Sequence, residues 1–579
     1  MLRHGSSSGS GRRRTTTTIT THIPPPPEED HGRSGYIAAL AIGLAASTAC
    51  FGVAIPFALR PDGDQILLYP LVGLSTVWTE VIAFVINTIL TQCFEGLAFI
   101  HSLSLRWALV TEERLRWNTN LRLFTSSRSR PWGPNGRAAN VLSALCMVVG
   151  YTTTSQLFVG GANWDLYSPE EFMSSIVGEQ NEDTKTPEEP QYLNCLALIV
   201  LGAVILLQTG LAVWCLLSDS ASIKYWTSNA LNTTLVALQR GEARHRDGRF
   251  MMSVATVSSG NDGGDSKHEA VAIPHEVIND TISPTHPSRT QPSMSKSRPA
   301  TRWIVHLLWF LFVLATVWFL IIVFVTRQLA FSSRQPWDFA LSWSGGYWNK
   351  VQFDIDTGYM KGPLNEPTPA LSMTSQVALG LLFVMAIQGL QTLGIHAAEL
   401  VVITARDEDT WRRLARLDKS HTRNVIKPNP FVSALSSWKN VLLIIFKSLL
   451  HWLLGQTVIA GFVYCSTACD AVMTRRWRVY SFEMLYGRVF VYTCCAGLLA
   501  AFVSFLAFKK PRGAQPATWG HIQTIADLVD DWDTDEKGRF WWGDKGEVFT
   551  EVGGSGVRHA GLSCRREELQ DVRMDALYA

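Results

Sequence analysis

Apolar residues in this chain are gathered into long runs rather than spread along stripes. About twenty consecutive apolar residues cross a bilayer core, and eight runs reach that scale. They lie near Tyr36–Leu59, Leu67–Ile100, Ala138–Val159, Leu193–Leu217, Trp303–Val325, Leu371–Val402, Trp438–Tyr464 and Gly487–Phe508. A helix on a soluble protein keeps one apolar stripe opposite a polar face. Trp303–Val325 (WIVHLLWFLFVLATVWFLIIVFV) is apolar all round. The pattern predicts an all-α polytopic membrane protein with eight transmembrane helices. Runs two and six cover about 34 and 32 residues, so each helix tilts or projects beyond the bilayer. The first run carries Ala39, Gly43 and Ser47 at helical spacing, a small-residue face that lets another helix approach closely.

The polar stretches set the boundaries. Residues 1–34 are Pro-, Ser- and Thr-rich and hold no apolar run, so they read as a disordered cytosolic tail. The first run comes too late and is too long for a secretory signal and reads as a retained signal-anchor helix. Residues 35–217 form a first four-helix membrane unit and 303–508 a second. Between them, 218–302 is a cytosolic linker, basic near both ends and partly disordered, open to phosphorylation. Residues 509–579 form a cytosolic tail with an amphipathic helix.

Charge orients these pieces. The net charge is only +2, but the loop after run two carries Arg106, Arg114, Arg116, Arg122, Arg128, Arg130 and Arg137 against Glu112 and Glu113. The loop after run six carries Arg406, Arg412, Arg413, Arg416, Lys419, Arg423 and Lys427. Loops dense in Arg and Lys stay in the cytosol. The loop from Ala162 to Tyr192 is acidic, with Lys185 its single cation, and belongs outside. Thr326 to Ala370 is external and aromatic, and its run YWNKVQFDIDTGYM alternates as a small hairpin does. Arg475, Arg476 and Arg478 run against the bias in a loop placed outside. Both termini are then cytosolic, in a plasma membrane or endomembrane.

The two units repeat landmarks. Asn140–Gly161 (NVLSALCMVVGYTTTSQLFVGG) and Asn440–Gly461 (NVLLIIFKSLLHWLLGQTVIAG) share Asn, Val, Leu, Gln and a closing Gly in order. Runs two and six both contain Ile-His, at Ile100-His101 and Ile395-His396. Each precedes an acid pair and a Trp: Glu112, Glu113 and Trp117, then Asp407, Glu408 and Trp411. Runs four and eight are followed by Trp-led amphipathic segments, Trp226–Ala237 and Trp519–Asp530. Four spans per unit is an even number, so the copies are expected parallel, related by a pseudo-twofold near the membrane normal. The stretches HSLSLRWAL, NTNLRLFTSSRSR, WTSNALNTTL, TWGHIQTIADLVDDW and RFWWGDKG resemble those of a group of filamentous-fungal multi-spanning membrane proteins without assigned function. The resemblance implies an integral membrane protein and no catalytic or binding residue.

Ionisable side chains at mid-membrane cost roughly 2.5–3.5 kcal/mol each on insertion scales, so each asks for a reason. Glu80, Glu95, His396, Lys447 and His451 form a candidate intramembrane polar pathway. Lys447 and His451 are four apart and share a helix face, and they stand where the first copy has Met147 and Tyr151. Glu80 and His451 rank above His101 and Glu399, which read as residues of the inner interface; His306 is a further ionisable residue in run five. Asp531, Asp533 and Asp535 begin like a calcium loop, but Glu536 replaces its turn Gly and Trp542 its closing Glu. These acids read instead as the wet face of the tail helix, which lies on the membrane or docks on a basic loop through Trp519, Trp532, Trp541 and Trp542. Ten cysteines include no CxxC pair; most read as small buried apolar residues, with Cys465 and Cys469 the one candidate redox pair.

The sequence has no GxSxG elbow between strand and helix, no Walker A loop and no HExxH, and no cofactor or metal is expected. Nucleic acid is not an expected partner, because the cations lie in juxtamembrane loops. There they attract anionic lipids, and the cytosolic segments offer surfaces to protein partners. Three functions follow in order: a membrane scaffold or signalling and interaction protein; a transporter or channel with a polar pathway between the repeats; an intramembrane enzyme without a recognisable motif.

Overall fold

A computed structural model describes residues 33–59, 68–71, 73–163, 191–219, 229–246, 248–255, 284–329, 350–354, 373–415, 437–465, 477–533, 535, 539–547 and 556–578. The tail before residue 33, most of the acidic loop, the aromatic loop before residue 350 and Cys469 lie outside these residues.

Among the described residues the helices of seven residues or more are α1 (Arg33–Ala58), α2 (Thr76–Thr111), α3 (Arg137–Ser155), α4 (Cys195–Asp219), α5 (Ala230–Gln239), α6 (Pro299–Leu329), α7 (Met373–Arg413), α8 (Trp438–Thr457), α9 (Tyr486–Phe508) and α10 (Ile522–Leu528). Seven of them, α1, α2, α4, α6, α7, α8 and α9, are long and apolar enough to cross a membrane. The chain is a helical integral membrane protein.

The third expected span divides into a helix and a strand. Thr152, Thr153, Thr154 and Ser155 close α3, each hydroxyl donating to a carbonyl three or four residues back. That polar final turn lowers the apolar content of α3, and α3 lies deep in the bundle, with Met147, Tyr151 and Thr152 buried. The seventh run divides in the same way, its helix ending at Thr457 and its strand beginning at Ile459.

Helices carry the bundle, and a six-stranded sheet caps one end of it, an addition to the all-α expectation. Its strands are β1 (Leu68–Leu71), β2 (Phe158–Asn163), β3 (Gln191–Asn194), β4 (Lys350–Asp354), β5 (Ile459–Cys465) and β6 (Trp477–Leu485). Their order is β1-β3-β2-β5-β6-β4. Every neighbouring pair is antiparallel except the central one, where β2 runs parallel to β5 with Gly160 opposite Gly461. The hairpin expected around Lys350 is instead one strand paired to β6, Lys350 opposite Leu485; the rest of that motif lies outside the described residues.

Small residues set the helix contacts. α1 packs on α4, where a Cβ on Gly43 would stand 2.5 Å from Thr209 Oγ1, and Ser47 Oγ donates to the Gly202 carbonyl at 2.8 Å. α6 packs likewise on α9, where a Cβ on Gly497 would meet the Phe312 ring at 2.8 Å. Between the halves, α2 lies on α8, α3 on α7, and α3 on α8.

The opposite end carries a folded unit. Parts of the expected linker, including α5 and the segment from residue 284, pack with the tail. A three-stranded sheet of β7 (Trp541–Glu547), β8 (Val557–Ser563) and β9 (Leu577–Tyr578) completes it. The tail helix α10 docks on α5 rather than presenting a wet face. Trp519, Trp532 and Trp542 are buried, and so are two of its acids. Asp527 pairs with Arg246. Asp530 accepts from Lys545 Nζ at 2.7 Å, from His559 Nε2 at 2.8 Å and from the Leu562 amide at 2.8 Å. Those donors outweigh burial and hold its carboxyl below the usual range. Asp531 accepts the Asp533 amide and Asp535 pairs with Arg539, local turns in place of an ion loop.

The loop after α2 joins this unit to the bundle. Asn118 donates its amide to Asp407 Oδ2 at 2.8 Å and accepts from Thr233 Oγ1 at 3.0 Å. Glu112 and Glu408, one from each expected acid pair, do the same job, accepting backbone amides of residues 128 and 129 and of 518 and 519. Burial would raise the Glu112 pKa, but the Ser127 and Ser129 hydroxyls and the two amides together lower it to about 2.

His521 caps α10, its Nδ1 accepting from the Thr524 amide, and its ring packs edge-on against Trp117 at 4.9 Å. Burial, then Arg116, Arg246 and Arg298, lower its pKa from 6.5 to about 4. The folded state therefore binds fewer protons than the unfolded chain between those values. Stability is full above pH 6.5 and is lost as pH falls towards 4, by up to about 3 kcal/mol. Thermal unfolding followed by Trp fluorescence should show this folded unit weakening from pH 7 to 5. His521→Asn, which caps without titrating, should flatten that slope.

Candidate functional site

α2, α7 and α8 bring three of the five sequence-predicted pathway residues to one point. Lys447 Nζ on α8 donates to Glu95 Oε1 on α2 at 2.5 Å and to Glu399 Oε2 on α7 at 3.0 Å. His396 Nδ1 on α7 lies 3.7 Å from Glu399 Oε2 and 3.9 Å from Glu95 Oε1. Lys447 is 1% exposed, whereas Glu95 and Glu399 retain 23% and 34%. The ammonium is thus enclosed and the carboxylates are partly open. Two carboxylates around one ammonium leave a net negative charge, which Arg122, coupled electrostatically to both acids, balances from the loop side. Arg122 also donates to His101 Nδ1 at 3.2 Å, leaving His101 Nε2 to donate to the Pro134 carbonyl at 2.9 Å.

His451, one turn along α8, lies beside the cluster. Its ring stacks on Tyr151 of α3 with centroids 3.5 Å apart and planes 4° from parallel. Its Nδ1 is 3.3 Å from Gln388 Oε1. The Nε2 atoms of His451 and His396 and the Gln388 amide nitrogen are buried without a hydrogen-bond partner among the described residues, an arrangement that costs free energy. A cavity of about 40 Å³, room for about one water molecule, joins this stack to the sheet end. Glu80, Asn87, His451, Gln456 and Gly160 line it.

Glu80 stands apart from the cluster. It pairs with Arg488 Nη2 at 2.7 Å near the sheet, and Arg488 Nη1 donates to Gln456 Oε1 at 2.5 Å. The sequence ranking of Glu80 above Glu399 is thus reversed in space: Glu399 holds Lys447 and Glu80 guards the cavity mouth. His306 is exposed on α6 beside Trp303 and belongs to neither. Arg488 and Arg122 are additions to the predicted set. Arg488 had a signal, being a cation within the eighth apolar run, whereas Arg122 was one of seven similar arginines.

Glu95, His396 and Glu399 also bring their ligand atoms within 4.8 Å of one another, as a metal site does. The Lys447 ammonium already lies 2.5 Å and 3.0 Å from two of those atoms. A metal ion there would face a cation at bonding distance, so the donor set suits an ammonium.

Removing the ammonium leaves two carboxylates facing each other in a site built for three charges. Breaking a buried pair costs ~3–5 kcal/mol, and the partial exposure of both acids places Lys447→Met near the low end. The unfolding midpoint in detergent should drop accordingly. Glu95→Gln and Glu399→Gln added to Lys447→Met should recover more than half of the loss. Compared with known proteins, the chain matches no family model, no curated protein and no solved structure.

Proposed function

We propose that this protein moves protons, alone or coupled to a solute, along the line where its two halves meet. This is the transporter reading, placed ahead of the scaffold reading by one observation. Ionisable side chains from α2, α7 and α8 converge on Lys447 in the centre of the bundle, below a polar cavity that opens towards the sheet. A scaffold has no use for charges that cost several kcal/mol to insert.

The halves are two copies of one unit. Helices α1–α5 recur in order as α6–α10, and the sheet order β1-β3-β2-β5-β6-β4 reads as the same three strands from either edge. The contacts between halves exchange equivalent partners, α2 on α8 answering α3 on α7. On the axis, equivalent residues 300 positions apart meet each other: Tyr151 stacks on His451, and Ser155 fills the space where Gly455 has no Cβ. A twofold parallel to two neighbouring strands leaves them parallel, as β2 and β5 are. On this reading α3, the counterpart of α8, is an eighth span, shielded from lipid by its neighbours. Both termini and the folded unit are cytosolic, and the sheet faces outside or the lumen. A glycosylation acceptor inserted in residues 164–190 should be modified and one inserted in 256–283 should not.

In the pathway, a proton entering from the sheet side reaches His451 Nε2 through the cavity. His396 lies next, its ring centroid 6.4 Å from that of His451. Proton transfer onto Glu95 or Glu399 neutralises one partner of Lys447 and loosens its hold, so the charge state of the cluster and the position of the lysine are linked. Protein reconstituted in liposomes with a pH-sensitive dye inside should dissipate an imposed proton gradient. Glu95→Gln, Lys447→Met and His451→Leu should each slow it at least tenfold, about 1.4 kcal/mol in barrier. Flux indistinguishable from empty liposomes, with or without added solutes, sinks the proposal and returns the scaffold reading to first place.

A further inference from the structure

A second cavity, of about 590 Å³, lies at the loop end of the bundle, between the last turns of α7, the start of α8 and the chain leaving α9. That size is in the ~300–1,000 Å³ range of ligand sites. Its lining is cationic: Arg412, Arg413, Lys439, Lys509, Lys510 and Arg512 face only two carboxylates, Glu408 and Asp409. Both carboxylates are already engaged. Glu408 accepts Arg412 Nε at 2.8 Å and the amides of Thr518 and Trp519, and Asp409 accepts Lys439 Nζ at 2.5 Å. Arg413, Lys509, Lys510 and Arg512 make no ion pair among the described residues, and all four are exposed. Four like charges around one concavity repel each other, a cost that an anion in the cavity reverses.

The rim says where the anion comes from. Trp438 at the start of α8 and Phe505 and Phe508 at the end of α9 are large apolar side chains more than half exposed, on two helices long and apolar enough to span a membrane. Lys509 Nζ lies 5.6 Å from the Phe505 ring centroid, so the cationic wall begins where the lipid-facing surface stops. A ligand with acyl chains can lay them along α8 and α9 while its head enters the cavity. A soluble anion gains nothing from that rim.

We propose that this cavity binds the headgroup of an anionic membrane phospholipid carrying additional phosphomonoester groups. Each phosphomonoester carries up to two negative charges at neutral pH, so a bisphosphorylated head matches four unpaired cations, whereas the single net charge of phosphatidylserine does not. The inference is independent of proton movement, since none of these residues belongs to the central cluster.

The test uses the full chain in nanodiscs of zwitterionic lipid, with binding of a fluorescent phosphatidylinositol bisphosphate read by anisotropy. The comparison is between wild type, K509A/K510A/R512A, and the charge-matched control R128A/R130A/R137A on the same side of the bundle. The expected result is at least tenfold weaker binding in the first triple and less than twofold change in the control. Thermal unfolding of the first triple should match wild type, because its three side chains are exposed. Equal weakening in both triples would mean diffuse attraction to a basic surface and overturns the site. Displacement by soluble inositol trisphosphate as effective as that by unlabelled lipid overturns the lipid assignment in favour of a soluble phosphate ligand. Equal displacement by phosphatidylserine overturns the phosphomonoester requirement.

Discussion

The central constraint is the close approach of α3 and α8. A Cβ on Gly455 would lie 2.6 Å from Ser155 Cβ, a distance real atoms do not adopt, so the two backbones meet only because one of them is glycine there. That approach brings the Tyr151 and His451 rings into face contact at 3.5 Å. It also delivers the chain leaving each helix to its neighbour, so that β2 and β5 pair at the middle of the sheet. A larger residue at 455 would part the rings and unzip the central strand pair together. The cavity, the stack and the sheet therefore stand or fall as one.

Charge inside the bundle follows from that geometry. With α3 and α8 in contact, α2 and α7 close on either side, and Glu95 of α2 and Glu399 of α7 reach the same ammonium. An ammonium without those partners would be driven out of a low-dielectric interior, and either carboxylate without it would be driven to protonate. The three groups keep each other in place, and the two histidines beside them each keep one ring nitrogen without a hydrogen-bond partner among the described residues. The folded unit at the loop end of the bundle uses the opposite arrangement. Asp530 and Glu408 are saturated with donors, which fixes structure and leaves nothing to move.

Much of this was legible in the sequence, because the strongest signals are the ones a bilayer imposes. Apolar runs located the seven described helices that are long and apolar enough to span a membrane, and the cost of buried charge singled out Lys447, Glu95 and His396. Periodicity failed where an apolar run changes backbone type: Phe158–Asn163 and Ile459–Cys465 are as apolar as the helices they leave, so strand could not be told from helix there. Composition failed in 218–302. Its Ser, Thr and charged residues carry no core of their own, and the parts described fold by lending α5 and Arg246 to a core completed nearly 300 residues later. The Glu399–Lys447 contact was not legible, because distance from a helix end says nothing about which neighbour a side chain faces.

The lasting clue is the asymmetry laid over a symmetric contact. On the proposed twofold, two identical units would place identical side chains on the axis, and at Ser155–Gly455 the pair still shares small size. At the next positions inward the two diverge. Tyr151 faces His451, a phenol ring against an imidazole, and Met147 stands 300 positions before Lys447. On the proposed twofold, Tyr151 of the first half supplies the ring face against which His451 of the second is held. Making both copies alike would either empty the site of charge or place two lysines and two histidines at one point. On the proposed twofold, divergence lets one half carry the lysine of the cluster while the other supplies the ring on which His451 stacks.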